Sequence, residues 1–173
     1  MVGGGTPKKG GNIMSEATVE PPEFEEMNHD AAIAQLRGQQ NFALAVPAGI
    51  AAAIAGAVLW AVVVYVSGYA LGLMAIAVGA LVGYAVRVTG KGVDQKFGIL
   101  GAVCAALGWA LGTAFADVAM LAQLENLPFM TAFGQLGANG TVSLFMTAAD
   151  PMDILFLGIA VFEGYKLAFR YRI

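Results

Sequence analysis

Charged residues are missing from two long stretches of the chain. There is no Asp, Glu, Lys or Arg from Gly38 to Val86, or from Phe97 to Ala116. A helix that crosses a bilayer needs about 20 mostly apolar residues, so the first stretch is long enough for two such helices. The pair Ser67-Gly68 predicts the turn between them.

The pattern predicts an all-α integral membrane protein with four spans, at about residues 42–66, 69–88, 97–120 and 152–170. Together, residues 30–173 would form one transmembrane four-helix bundle. The first 40 residues lack the apolar core of a secretory signal peptide. We therefore expect the first span to act as an uncleaved insertion signal.

The composition favours this membrane bundle over a soluble bundle with long buried helices. Hydrophobic residues make up 58% of the chain and charged residues 12%, and the mean hydropathy is +0.72. A typical soluble domain has about 25% charged residues. The lipid bilayer is therefore the first partner that the sequence predicts.

Lys and Arg residues occur only at one side of the predicted spans. Three precede the first span, three lie between the second and third, and three end the fourth, whereas the segment 121–151 has none. Basic residues accumulate on the cytoplasmic side of membrane proteins, so both termini are predicted to be cytoplasmic. The nine residues are Lys8, Lys9, Arg37, Arg87, Lys91, Lys96, Lys166, Arg170 and Arg172.

Residues 1–29 differ from the rest, because they are first rich in Gly and then acidic. We expect a flexible cytoplasmic tail, with the alternative that it docks onto a partner protein. Asn28 or Asp30 is predicted to cap a short helix that continues into the first span.

The segment 121–151 is long for a connection and rich in Leu, Phe and Met. Asn126 is predicted to cap a short amphipathic helix that ends near Leu136, before the breaking sequence "GANG". A second short helix would follow, and Asp150 would cap the fourth span. These short helices could lie in the membrane interface or re-enter the protein.

Small residues form stripes along the predicted spans, at alternating intervals of three and four. In lipid, such stripes let helix backbones approach closely. They fit one tight bundle, and any surplus would serve contacts with a second copy or with other membrane proteins. The glycines that we assign to helix packing are Gly68, Gly72, Gly79, Gly83, Gly101, Gly108, Gly112 and Gly164.

The residues give little sign of catalysis. The chain has one His, His29, and one Cys, Cys104, which is predicted to be a packing residue. No G-x-S-x-G, H-E-x-x-H or phosphate-loop motif occurs. We therefore predict no enzyme activity, no metal and no cofactor, and the net charge of -3 predicts no nucleic-acid partner.

Glu163 lies inside the apolar fourth span, towards its cytoplasmic end. A carboxylate at that depth is costly unless it is paired, so we predict a buried ion pair with Arg87 or with Lys166. The alternatives are a carboxylate that handles a proton or cation, and a contact with a partner subunit. The next acid, Asp117, lies near the opposite face, which disfavours a proton path through one subunit.

Two stretches, "VGYAVRVTGKGVDQKFGILGAVCAALG" and "DPMDILFLGIAVFEGYK", resemble a group of small four-span bacterial membrane proteins without an assigned activity. The resemblance covers the second to fourth spans. It implies the bacterial inner membrane and carries no catalytic residues.

Two functions follow as hypotheses. The first is a non-enzymatic accessory or structural subunit of an inner-membrane assembly. The second is an oligomeric channel or transporter for ions or small solutes, with a lumen lined by polar residues such as Thr113, Asp117 or Gln135.

Overall fold

The computed structural model describes residues 31–69 and 72–169. Within these ranges all regular structure is helical, which confirms the predicted all-α class. The predicted tail 1–29 and both candidate caps, Asn28 and Asp30, lie outside the described residues. The helices are α1 (31–38), α2 (Phe42–Ser67), α3 (Leu73–Gly90), α4 (Gln95–Leu124), α5 (Phe129–Ala148) and α6 (Pro151–Leu167).

Three helices are long and apolar enough to cross a membrane: α2 with 26 residues, α3 with 18 and α4 with 30. The pair α5 and α6 would count as a fourth span only if it is one broken span, because the two helices meet at an angle of 106°. By itself α6 has 17 residues, or about 26 Å at 1.5 Å per residue, against a hydrocarbon core of about 30 Å. These helices suggest a membrane-spanning protein.

The ends of α2 show one prediction confirmed and one wrong. Gly68 ends α2 with a left-handed backbone (φ 72°), so the turn lies where it was predicted, and Gly68 caps the helix instead of packing within a span. At the start, the Asn41 side chain accepts a hydrogen bond from the Leu44 N–H at 3.0 Å. Because Asn41 begins a new helix, α1 does not continue into the first span.

Helices α3 and α4 contact each other at the centre of the bundle. Helix α2 lies against both, α6 lies against both, and α5 contacts α4. The core between them combines aromatic and small side chains, including Trp60, Val78, Cys104, Trp109 and Ala160. Cys104 is therefore a buried packing residue, as predicted.

Glycines lie where α6 meets α3 and α4. A Cβ at Gly79 would be 2.6 Å from the Ala160 carbonyl oxygen. A Cβ at Gly164 would be 2.7 Å from the Gly101 carbonyl oxygen, and one at Gly101 would meet the Gly164 carbonyl in turn. Gly83 lies against the same helix, since its Cβ would be 2.8 Å from that of Leu167.

The remaining predicted glycines support other contacts. A Cβ at Gly108 would be 2.8 Å from Val78, and one at Gly112 would be 2.6 Å from the Trp60 ring. Gly72 precedes α3 and faces the Phe156 ring. The stripes are thus used largely within the bundle.

Within the segment 121–151, α5 is one bent helix. Its backbone leaves the helical region at Gly137 (φ 62°, ψ -176°), which is the first residue of the predicted break "GANG". Asn126 has a positive φ of 53° and belongs to the turn after α4, so the predicted N-cap at Asn126 is wrong. Helix α5 begins directly after Pro128 instead.

Aromatic rings join α5 to α4. The ring of Phe115 on α4 packs edge-on against Phe129 and Phe133 of α5.

The two ends of the bundle carry opposite charges. At one end of the bundle, α2 and α4 end and α6 begins. The ends of α2 and α4 are joined there, because the Gln123 side-chain amide donates a hydrogen bond to the Tyr65 carbonyl. We call this the acidic end, because its charged residues are Asp117, Glu125, Asp150 and Asp153. The basic end contains every Lys and Arg in the described ranges, namely Arg37, Arg87, Lys91, Lys96 and Lys166, with Asp94 and Glu163.

Candidate functional site

A cavity of about 280 Å³ opens at the acidic end, between α2, α4 and the junction of α5 with α6. One wall is α4 with Thr113 and Asp117, which are four residues apart and share a helix face. Trp60 of α2 and the first residues of α6 form the other walls. The lining includes Trp60, Thr113, Asp117, Phe145, Asp150, Asp153 and Phe156.

Asp150 and Asp153 are held at the cavity by the start of α6. The Asp150 carboxylate accepts from the Met152 N–H at 3.1 Å, and the Asp153 carboxylate accepts from the Asp150 N–H at 2.9 Å. This capping box satisfies free N–H groups of the first turn, and both carboxylates offset the positive end of the helix dipole. The cap that the sequence predicted at Asp150 is confirmed.

Asp117 has no such structural explanation. Its Oδ2 is buried and finds no hydrogen-bond partner among the described residues. The same holds for the Thr113 hydroxyl and for the indole N–H of Trp60, a residue only 5% exposed. A buried polar group without a partner costs about 1–3 kcal/mol. All three residues line the cavity, so their unmet hydrogen bonds are concentrated in one place.

The arrangement combines negative charge with free donors. Two carboxylates cap α6 and a third, Asp117, faces them across the cavity, while the described part of this end has no Lys or Arg. Such a site attracts positive charge. The described residues contain no group of three His, Cys, Asp or Glu that could hold a metal ion.

At the basic end, a carboxylate is neutralised. Asp94 pairs with Arg37 Nε at 3.1 Å and with Lys96 Nζ at 3.3 Å. Burial by itself would raise the pKa of Asp94, but the hydrogen bond from Lys96 and the charges of Lys96 and Arg37 outweigh burial and lower the pKa below its usual value. Asp94 therefore has the role of a structural anchor between α1 and α4.

The ion pair predicted for Glu163, with Arg87 or Lys166, stays a prediction. Glu163 is half-buried on α6. The Lys166 ammonium lies over the Phe162 ring, 5.5 Å from its centroid. Arg87 lies in the exposed last turn of α3.

A second, apolar groove of about 360 Å³ lies between α2, α4 and α5. Its walls include Val58 and Val62 of α2, Phe115 of α4, and Phe129 and Phe133 of α5. The Tyr65 side chain is at its edge and also lines a neighbouring polar pocket with Gln123 and Asn126.

Part of the cavity lining was predicted from the sequence. Thr113 and Asp117 were candidates for a polar lumen and do lie together, whereas Gln135 is exposed on α5. Trp60 and Asp153 were missed. The i, i+4 spacing of Thr113 and Asp117 was the available signal, because two polar residues on one face of an apolar helix need a polar neighbour.

Compared with protein-family models, with curated proteins and with solved structures, the chain gives no match. The resemblance to small four-span bacterial proteins thus stays an expectation from the sequence.

Proposed function

We propose that the chain is a non-enzymatic membrane protein that carries small ions or small polar solutes as an oligomeric channel or transporter. The observation that supports this most is the cavity beside Asp117, because a buried carboxylate oxygen without a partner has no structural role there. A carboxylate inside a membrane helix is expected at a solute path.

The break between α5 and α6 supports the same function. Ala149 and Asp150 form the break and line the cavity. At membrane depth, non-helical backbone is tolerated where it is buried or lines a polar cavity, and transporters use interrupted helices to build their binding sites.

We further propose that the protein is a multi-pass protein of the bacterial cytoplasmic membrane, with both termini in the cytoplasm. The separation of charges supports this orientation, since all described Lys and Arg residues are at the basic end. The acidic cavity would then open to the outside.

Flux into liposomes tests the transport proposal. The purified full-length chain is reconstituted, and uptake of radioactive Na⁺, Rb⁺ and glycerol is measured. We expect uptake above protein-free liposomes for at least one of them, and its loss in Asp117→Asn. The matched control is Glu125→Gln, which removes an exposed charge at the same end outside the cavity. No uptake of any of the three would overturn the proposal.

The second candidate function is an accessory or structural subunit, bound to a second copy or to other membrane proteins. It is favoured by the uncovered apolar face of α5, where Met130 and Met146 are 77% and 69% exposed. Glycines whose Cβ would meet nothing within 4 Å, Gly134 on α5 and Gly158 on α6, add small-residue surface. Purification from native membranes in mild detergent tests it, and a lone monomer without a co-purifying protein would contradict it.

A further inference from the structure

We propose that the acidic cavity binds a small monovalent cation of the Na⁺ or K⁺ class together with its water. Asp117 is the charged ligand, and Thr113 and Trp60 hold the water. This inference names the substrate class of the proposed transport function and rests on it for the role of the ion, but binding can be measured without flux.

The charge of the cavity favours a cation over an anion. A helix start such as that of α6 ordinarily attracts anions, but Asp150 and Asp153 already occupy its free N–H groups. Asp117 adds a third carboxylate from α4, and the described part of the acidic end has no Lys or Arg to balance it. The net negative charge of the lining therefore attracts a cation, with Asp117 as its one charged ligand.

The unpartnered donors point to water around the ion. A bare cation cannot accept the hydrogen bonds of the Trp60 N–H and the Thr113 hydroxyl, whereas the oxygen of a water ligand can. Trp60 is 95% buried, and its N–H has no acceptor within the described ranges. The space is sufficient, since a water needs only ~10–15 Å³ of such volume and the cavity has about 280 Å³.

The number of available ligands favours a monovalent ion over a divalent one. Ca²⁺ takes six to eight oxygen ligands, usually with several carboxylates. Here Asp150 and Asp153 each use an oxygen to cap α6, so Asp117 supplies the one carboxylate that is not committed to the helix start. A hydrated ion with a single charge matches this ligand set.

Binding is measured on the full-length chain in nanodiscs of a zwitterionic lipid, so that the lipid surface does not attract cations. Equilibrium binding of radioactive Na⁺ and Rb⁺ is recorded at constant ionic strength, with N-methylglucamine as the bulky replacement cation. We expect saturable binding of at least one ion. In Asp117→Asn the affinity is expected to fall at least about tenfold, which corresponds to about 1.4 kcal/mol, and in Glu125→Gln it is expected to be unchanged.

Fluorescence provides a readout at the cavity itself. The chain has two tryptophans, Trp60 and Trp109, so Trp109→Phe leaves Trp60 as the reporter. We expect its emission to change with the same concentration dependence as ion binding, and the change to be absent in the variant that also carries Asp117→Asn.

The two proposals fail in different ways. Saturable, Asp117-dependent binding without liposome flux supports the cation site and overturns the transport function. Flux without saturable binding overturns the cation site alone. Wild-type protein that binds neither ion, or Asp117→Asn protein that binds as tightly as wild type, also overturns the cation site.

Discussion

The two ends of the bundle treat a carboxylate in opposite ways. At the basic end, Asp94 lies between Arg37 and Lys96, with nitrogen–oxygen distances of 3.1 and 3.3 Å. At the acidic end, Asp117 faces Asp153 across a cavity, and its buried Oδ2 has no partner within the described chain. Both carboxylates belong to α4 or its cap, so the same helix begins in a neutralised site and ends near an unbalanced one.

The basic end is also packed more tightly than the acidic end. At the basic end the Phe97 ring is fully buried, and a Cβ at Gly90 would be 2.6 Å from it. The Asn41 N–H also donates to the Gly90 carbonyl at 2.9 Å, which joins α2 to the end of α3. At the acidic end the angle between α5 and α6 leaves a cavity instead. Buried polar atoms without a partner occur at both ends, since the Gln40 side-chain amide at the basic end also lacks one among the described residues. The acidic end differs because its unpartnered atoms line a cavity that has room for a ligand.

The largest change in stability is expected for a substitution in α6, the helix that runs from the acidic end to the basic end. A Cβ at Gly164 would lie 2.5 Å from Ala105 and 2.7 Å from the Gly101 carbonyl. Gly164→Ala should therefore lower the free energy of unfolding in detergent by about 1–3 kcal/mol through overpacking.

Gly158→Ala on the same helix is the matched control, because its Cβ would meet nothing within 4 Å. There the better helix propensity of Ala should raise stability by up to about 1 kcal/mol. Equal effects of the two substitutions would contradict the close contact between α4 and α6.

The contrast between the two carboxylates predicts that replacing them changes the stability of the protein in opposite directions. Asp94→Asn removes two ion pairs and should destabilise the protein by less than about 1 kcal/mol, since both pairs are partly exposed. Asp117→Asn removes the charge of a half-buried carboxylate whose buried Oδ2 has no partner among the described residues. It should stabilise the protein by a similar amount, up to about 1 kcal/mol, when only N-methylglucamine is present. Thermal unfolding of the two variants is the measurement, and destabilisation by both would show that Asp117 has a partner in the folded protein.

The helices of this fold could be predicted from the sequence because long apolar stretches without charges are typical of membrane-spanning helices. Gly68 and Asp150 could also be placed, since a helix end depends on local residues. The cap of α2 at Asn41 was missed and the cap predicted at Asn126 was wrong, because many polar residues near a helix start are compatible with a cap.

The cavity could not be predicted in full because it depends on an angle between helices. Asp117 and Asp153 are 36 positions apart, and they meet only because α6 turns back at 106° to α5. The ion pair predicted for Glu163 stays a prediction, and the Lys166 ammonium lies over the Phe162 ring, a contact that the sequence did not predict.

The C-terminal caps of α2 and α3, one at each end of the bundle, predict smaller changes in stability. Both use a left-handed residue, Gly68 at the acidic end (φ 72°) and Lys91 at the basic end (φ 47°). This conformation costs an L-residue with a side chain about 1 kcal/mol relative to Gly. Gly68→Ala should therefore destabilise the protein by about 1 kcal/mol, and Lys91→Gly should stabilise it by somewhat less. Chemical unfolding of both variants checks the sign, and stabilisation by Gly68→Ala would contradict the left-handed cap.

The smallest expected effect is the pH dependence of the stability that Asp94 contributes at the basic end. The pKa of Asp94 is lowered in the folded chain, so its contribution to stability is complete above its usual value of about 4 and is lost as the pH falls through the lowered pKa. Because the Arg37 and Asp94 side chains are 63% and 29% exposed, solvent and salt screen the interaction, and the contribution should stay below about 1 kcal/mol. Thermal unfolding of wild type and Asp94→Asn is compared between pH 6 and pH 3 at low and high salt. Their difference should shrink towards the acidic limit and in high salt, whereas a difference that is constant with pH would mean that the charge of Asp94 does not stabilise this end.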